Sequence, residues 1–176
     1  NGFRYWMAYT PWSEDKFENP SIAVSNNLLA WETPPGLINP ISDRKPEWNN
    51  FDYYSDTDLI YNPNTQKLEC WYRWCSTNSR VERIHRKTSS DGITWSTEET
   101  LRENTLFVSM VSPSVIFEGG IYRIWVKDSA SSPIKIKYYE SPNGYNWQFK
   151  QDIEGVNDWH FKMERTDIGI EYLGGG

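Results

Sequence analysis

The sequence predicts an all-β fold assembled from repeated four-stranded antiparallel units of propeller-blade size, and three observations predict it. The first is a repeated motif. Ser89-Ser90-Asp91-Gly92-Ile93-Thr94-Trp95 has the form Ser-x-Asp-Gly-x-x-Trp, Ser141-Pro142-Asn143-Gly144-Tyr145-Asn146-Trp147 repeats it with Asn for Asp, and Ser25-Asn26-Asn27-Leu28-Leu29-Ala30-Trp31 is a weaker copy with Leu28 in place of Gly. The second is a repeated strand–turn–strand pattern before the motif. Asp56 to Tyr61, a turn at Asn62-Pro63-Asn64, and Leu68 to Arg73 correspond to Ser112 to Phe117, a turn at Glu118-Gly119-Gly120, and Tyr122 to Val126. The third is the lack of any stretch with apolar residues at helical spacing in a chain punctuated by 10 prolines. Together these give four strands in about 50 to 60 residues, the size of a blade.

The elements follow in order. Asp-Gly and Asn-Gly accept the positive φ of a tight turn, so the motif reads as a hairpin, with its Trp opening the next strand and packing between neighbouring units. Blade two is expected over 55–97, blade three over 110–150, and the first strands of blade four over 158–176. Phe3-Arg4-Tyr5-Trp6-Met7-Ala8-Tyr9 matches the second strand of a blade, so blade one (1–50) lacks its inner strand. Because rings close to remove sheet edges, 1–176 is expected to be an internal fragment of one propeller domain, with unsatisfied edges at both ends.

Composition narrows the function classes. The 176 residues include 10 Trp and are 16% aromatic, enough to build a core and exclude disorder. A net charge of −6 lacks the footprint of a nucleic-acid binder. Arg80, Arg83, Arg86 and Lys87 cluster, but Glu82 interrupts them and they read as a solvated strand face. Cys70 and Cys75 are an odd number of residues apart on a strand, hence on opposite faces and not expected to pair. No cofactor is expected. No second Cys or His pair stands at zinc-ligand spacing, and Ser55, Asp56 and Asp58 fall short of the oxygen ligands a calcium site needs, so no metal is expected either. No apolar run is long enough to span a membrane, and no secretory leader is expected.

The blade pattern resembles the five-bladed β-propeller of glycoside hydrolase families 43 and 32, which makes the expected fold a partial five-bladed β-propeller. The stretch Tyr5-Trp6-Met7-Ala8-Tyr9-Thr10-Pro11, followed by Glu18-Asn19-Pro20-Ser21-Ile22, is similar to the propeller (platform) domain of receptor-binding proteins and tail fibres of phages that infect Gram-positive, staphylococcal-type bacteria. That resemblance implies a homotrimeric fibre with other tail and baseplate proteins, a virion location outside the cell, and binding of cell-wall glycopolymer, the sugars of wall teichoic acid, for attachment to the host. The family 43 resemblance implies the alternative, a glycosidase active or degenerate. There the orienting Asp on blade two matches Asp56, while the general-acid Glu, two residues before a Pro on blade three, falls on Val111, which cannot donate a proton. The catalytic set is therefore incomplete, and no catalytic residue is assigned.

The expected ligand site lies where the inner strands begin, at the mouth of the channel. Asp56 and Asp58 are expected on one strand face, Ser112 and Ser114 at the equivalent place on blade three, and Trp159 and His160 on blade four. Carboxylates accept hydrogen bonds from sugar hydroxyls, and an aromatic ring stacks on a pyranose face. Each has a structural alternative: a turn cap for Asp56, a hydrogen-bonded ring residue for Asp58, blade packing for Trp159 and a satisfied buried ring for His160. The aromatic loop from Asp43 to Tyr54, with Trp48, Phe51, Tyr53 and Tyr54, is either functional, a cover for a blade edge or a neighbour contact. A purely architectural platform is the third class left open.

Overall fold

The computed structural model describes residues 2–11, 18–48, 52–105, 108–156 and 158–175, and among these there is no helix. Twelve strands form four antiparallel sheets. Strands β1 (Tyr5–Tyr9) and β2 (Ser21–Ser25) pair in a two-stranded sheet. Blade two is a meander of β3 (Asp52–Asn62), β4 (Lys67–Ser76), β5 (Val81–Ser89) and β6 (Glu99–Asn104). Blade three repeats it with β7 (Val111–Glu118), β8 (Ile121–Asp128), β9 (Lys135–Ser141) and β10 (Gln148–Ile153). Strands β11 (His160–Thr166) and β12 (Gly169–Gly175) form the last pair. The outer strands of blades two and three reach seven and three residues beyond the expected ends. Phe51 of the aromatic loop lies outside the described residues.

The core sits between blades. One apolar cluster joins β1–β2 to blade two through Ile22, Tyr54, Cys70 and Tyr72; a second joins blades two and three through Trp71, Ile84, Val115 and Ile124; a third joins blade three to β11–β12 through Trp125, Ile136 and Met163. Blades two and three are thus apolar on both faces and depend on their neighbours for burial, which explains why the aromatics recur with the repeat. Inner strands are also tied to each other. The Val115 N–H donates to Asp58 Oδ2 at 2.6 Å, and one blade on the Met163 N–H donates to Ser114 Oγ at 2.9 Å.

The repeated motif is a loop rather than a two-residue hairpin. Ser89 Oγ accepts the Gly92 N–H at 2.8 Å, and Asp91 Oδ1 accepts the N–H groups of Ile93 (2.8 Å) and Thr94 (2.7 Å). Ser141 and Asn143 do the same for Gly144, Tyr145 and Asn146, and Ser25 and Asn27 for Leu28, Leu29 and Ala30. One residue per loop has positive φ: Leu28 (65°), Gly92 (74°) and Gly144 (80°). The side-chain oxygen, competing successfully for backbone donors, sets the longer loop. Hence Trp95 precedes β6 instead of opening it.

One further expectation changes and another holds. The basic cluster is a solvated face only in part: Arg80 is exposed and Arg83 partly so, whereas Arg86 is buried, with ion pairs to Glu69 (3.5 Å) and Glu99 (2.8 Å), and Lys87 donates to the Ile41 carbonyl. Both cysteines are free and buried, and burial raises both thiols well above the ordinary range, Cys75 to about 12.

Candidate functional site

A β-bulge builds the site, and it occurs twice. In β3, Ser55 pairs with Arg73 and Asp58 with Trp71, so Asp56 and Thr57 together oppose only Tyr72. In β7, Val111 pairs with Lys127 and Ser114 with Trp125, so Ser112 and Pro113 oppose only Val126. The bulged residues Asp56 (φ 53°) and Ser112 (φ 49°) both adopt the left-handed conformation, unusual for residues with a Cβ and a reservoir of strain of about 1–3 kcal/mol each. A bulge breaks the alternation of a strand and re-aims the side chain. The expectation that Asp56 and Asp58 share a face fails for this reason.

Asp56 and Ser112 instead converge on His160 at the start of β11. His160 Nδ1 lies 3.0 Å from Ser112 Oγ and 3.5 Å from Asp56 Oδ1. The Asp56 carboxylate is nearly buried and is also met by Arg73 Nη1 at 3.3 Å and by the Ser55 hydroxyl at 3.1 Å. Arg73 is fixed in turn by Glu82 at 2.9 Å, a fully buried carboxylate that accepts backbone N–H groups of Val108 and Met110. Burial alone would raise the Asp56 pKa, but His160, Arg73 and Ser112 outweigh it and hold the carboxyl below its ordinary range. Contact with Asp56 raises the pKa of His160 in spite of partial burial.

Ser55, Asp56, Arg73, Ser112 and His160 line a cavity of about 660 Å³ together with Tyr9, Glu18, Tyr53 and Trp159. Glu18, half-buried just before β2, has its pKa raised first by burial and then by the negative charge of Asp56. The cavity therefore holds two carboxyls pushed in opposite directions, Asp56 toward ionisation and Glu18 toward protonation. Trp159 is 52% exposed, and the Lys127 ammonium sits 4.7 Å from its ring centroid. Both oxygen partners of His160 meet Nδ1, which leaves Nε2 for a bound molecule. The arrangement is not a nucleophilic serine triad, because there the serine and the carboxylate sit on opposite ring nitrogens. It is an oriented imidazole able to take a proton at Nε2.

Of the six residues expected from sequence, Asp56, Ser112, Trp159 and His160 come together around this cavity. Asp58 and Ser114 do not line it. Asp58 is 8% exposed and spends its oxygens on the N–H groups of Val115 and Leu59 and on Lys162, and Ser114 is fully buried against Met163. Glu103 and Glu118, the carboxyls nearest in sequence to Val111, are engaged elsewhere, with Arg83 and with Arg123 and Arg165. Sequence reasoning missed Glu18, which lines the cavity from the segment before β2, and Arg73. The Arg73 signal was legible in Cys70-Trp71-Tyr72-Arg73-Trp74-Cys75, where one charge interrupts an apolar run. Among the described residues, no group of three or more His, Cys, Asp or Glu side chains is placed to hold a metal ion.

The four-stranded antiparallel sheets are those of a propeller fold. Over 99% of this chain and 59% of the other, the structure superposes on an N-acetylgalactosamine deacetylase from F. plautii in complex with blood group B trisaccharide, with a TM-score of 0.83 and 19% identity. A thermostable family-43 glycoside hydrolase follows at a TM-score of 0.70 and 14% identity, over 97% of this chain and 61% of that one. A GH32 β-fructofuranosidase from Bombyx mori matches at 0.64 and 14% identity, over 92% and 38%. In sequence, the chain is 32% identical over 110 residues to an A type blood N-acetyl-alpha-D-galactosamine deacetylase of Flavonifractor plautii, a match that covers 60% of this chain and spans 14% of that curated relative. No family model matches the chain. These findings overturn the expected phage tail-fibre module: the similar proteins are enzymes that act on carbohydrate, and nothing among them supports a fibre, a trimer or teichoic acid.

Proposed function

We propose that this chain carries the sugar-binding cavity of a glycan-processing enzyme and that the cavity hydrolyses the acetamido group of an N-acetylated sugar. The observation that carries the reading is His160, held through Nδ1 by Asp56 and Ser112 with Nε2 free for substrate. The 32% identity to an N-acetylgalactosamine deacetylase supports the choice of substrate class. In this scheme His160 Nε2 takes a proton from water as the oxygen attacks the acetyl carbonyl. Protonated Glu18 then gives its proton to the departing nitrogen, releasing acetate and the amino sugar. Trp159 stacks on the pyranose. The sheets belong, in this reading, to a five-bladed ring, a count that rests on the resemblance to families 43 and 32.

The test is acetate release from an N-acetylgalactosamine-terminated oligosaccharide, with His160→Ala and Glu18→Gln as variants. Turnover lost in both supports the reading, and undiminished turnover in both overturns it. The presence of Glu18 and Asp56 in one cavity favours a second reading, glycosidic cleavage by a carboxyl pair, despite Val111. Release of nitrophenol from aryl-glycosides, abolished by Asp56→Asn, would put the second reading first.

A further inference from the structure

A second cavity, of about 390 Å³, opens between blades two and three at the other end of their inner strands. It is six residues along β3 from Asp56 to Asn62, roughly 20 Å at strand rise, so the two cavities are separate. Its floor is polar and buried. The Tyr122 hydroxyl donates to Glu69 Oε1 at 2.9 Å and accepts from Asn62 Nδ2 at 2.8 Å and Arg86 Nη1 at 3.2 Å. Glu69 and Asn62 are each 2% exposed. Arg86 reaches on to Glu99 at the rim, where the half-exposed Tyr145 also bonds Glu99 at 3.0 Å.

The repeat supplies an internal control. Ala8 pairs with Ile22 as Trp71 pairs with Arg86, which places Trp6 at the position of Glu69 and Ile22 at that of Arg86. The seam between blade one and blade two therefore has an indole and an aliphatic chain at these positions, with Leu68 where the next seam has Tyr122, and the cavity of about 380 Å³ that opens there is lined, among the described residues, by Trp6, Tyr61, Leu68, Ser90 and Asp91, with no ion pair in that lining. Packing one blade on the next does not need buried charge. Burying Glu69 and Arg86 costs desolvation that apolar residues of similar volume avoid, so blade stability does not account for the pair. Arg86 lines the cavity, and its buried Nε has no partner among the described residues.

We propose that this cavity is an accessory site for one neutral saccharide unit. The lining carries two acidic and two basic side chains, Glu69 and Glu99 against Arg86 and Lys67, so their charges balance and favour a neutral ligand. Sugar hydroxyls both donate and accept, which matches a floor that offers both roles, and Phe117 provides an apolar wall for a ring face. The volume lies within the roughly 300–1,000 Å³ of small-molecule sites. Such a site would hold a branch or a second chain of the glycan while the His160 cavity works on another residue.

The experiment is a two-dimensional amide NMR titration of the chain with galactose and with N-acetylgalactosamine, read at Asn143, Gly144, Tyr145 and the Trp147 indole. Saturable shifts there are expected, and they persist in His160→Ala, whose own signals with those of Ser112 report the other cavity separately. Glu99→Gln and Tyr122→Phe are expected to weaken binding at these positions about tenfold, about 1.4 kcal/mol. The proposal is overturned if neither sugar shifts these signals in the folded chain, or if Glu99→Gln leaves the affinity unchanged; Glu99 is partly exposed, so that variant decides even if Tyr122→Phe fails to fold.

Discussion

Asp56 is where the chemistry of this molecule concentrates. Its left-handed backbone costs strain, and the carboxylate recovers it through Arg73, Ser55, Ser112 and His160. Because contact with Asp56 holds the imidazolium above the ordinary value of 6.5, His160 becomes a free base only above that pH. The acid limb of the pH–rate profile for acetate release is therefore expected above pH 6.5, and Asp56→Asn moves it down; a limb unmoved by that substitution would disconnect the two residues. His160→Ala lowers kcat about 10²–10⁴-fold, the usual worth of a positioned acid or base. The stability signs are opposite for the two partners. The raised His160 contributes fully below its unfolded pKa and loses the contribution as pH rises through the folded value. The lowered Asp56 contributes above 3.8 and loses it as pH falls, so the pair stabilises most between these limits. Four of the six residues expected from sequence reach the cavity, because inner-strand openings can be placed from the repeat. Asp58 and Ser114 went astray because a bulge inserts a residue, and nothing in Asp-Thr-Asp or Ser-Pro-Ser announces one.

At the scale of the element, the Ser-x-Asp/Asn-Gly loop invites two comparisons between its own copies. A Cβ at Gly92 would collide with the Trp6 ring, whereas one at Gly144 would come no nearer than 3.4 Å to Arg86 and Trp71. Both glycines have positive φ. Gly92→Ala is expected to destabilise by about 2–4 kcal/mol, the sum of backbone strain and overpacking, and Gly144→Ala by about 1–2 kcal/mol. Equal shifts in the urea midpoint would show that Trp6 moves aside without cost. Asp91 offers the second comparison. The N–H groups of Thr94 and Ile93 and the Ser89 hydroxyl hold its pKa down to about 2. It should stabilise the loop above pH 3.8 and progressively less toward pH 2. Asp91→Asn, which copies the residue at 143, should remove that pH dependence and leave the loop intact, as followed by amide exchange at Ile93 and Thr94. The loop's existence was readable from Ser, Asp and Gly at fixed spacing. Its length was not, because that depends on which of several backbone donors the carboxylate captures.

For the whole molecule, the tie between inner strands carries the most weight. Asp58, in blade two, accepts the Val115 N–H of blade three and Lys162 of β11, so three sheets meet on one carboxylate. Asp58→Ala leaves a buried N–H and an unmatched ammonium and is expected to cost about 2–4 kcal/mol in chemical denaturation. A loss under about 0.5 kcal/mol, the scale of an ordinary surface substitution, would mean that the tie is incidental. The sequence alone determined the all-β class, the four-stranded repeat and the positions of the inner strands, since turn chemistry and aromatic spacing are local properties that repeat with the blade. Only the tertiary structure decided which polar residues face the cavity. Glu18 and His160 are 142 residues apart along the chain and Arg73 lies between them, and their placement around one cavity follows from the bulges and the order in which blades pack, neither of which a strand pattern encodes.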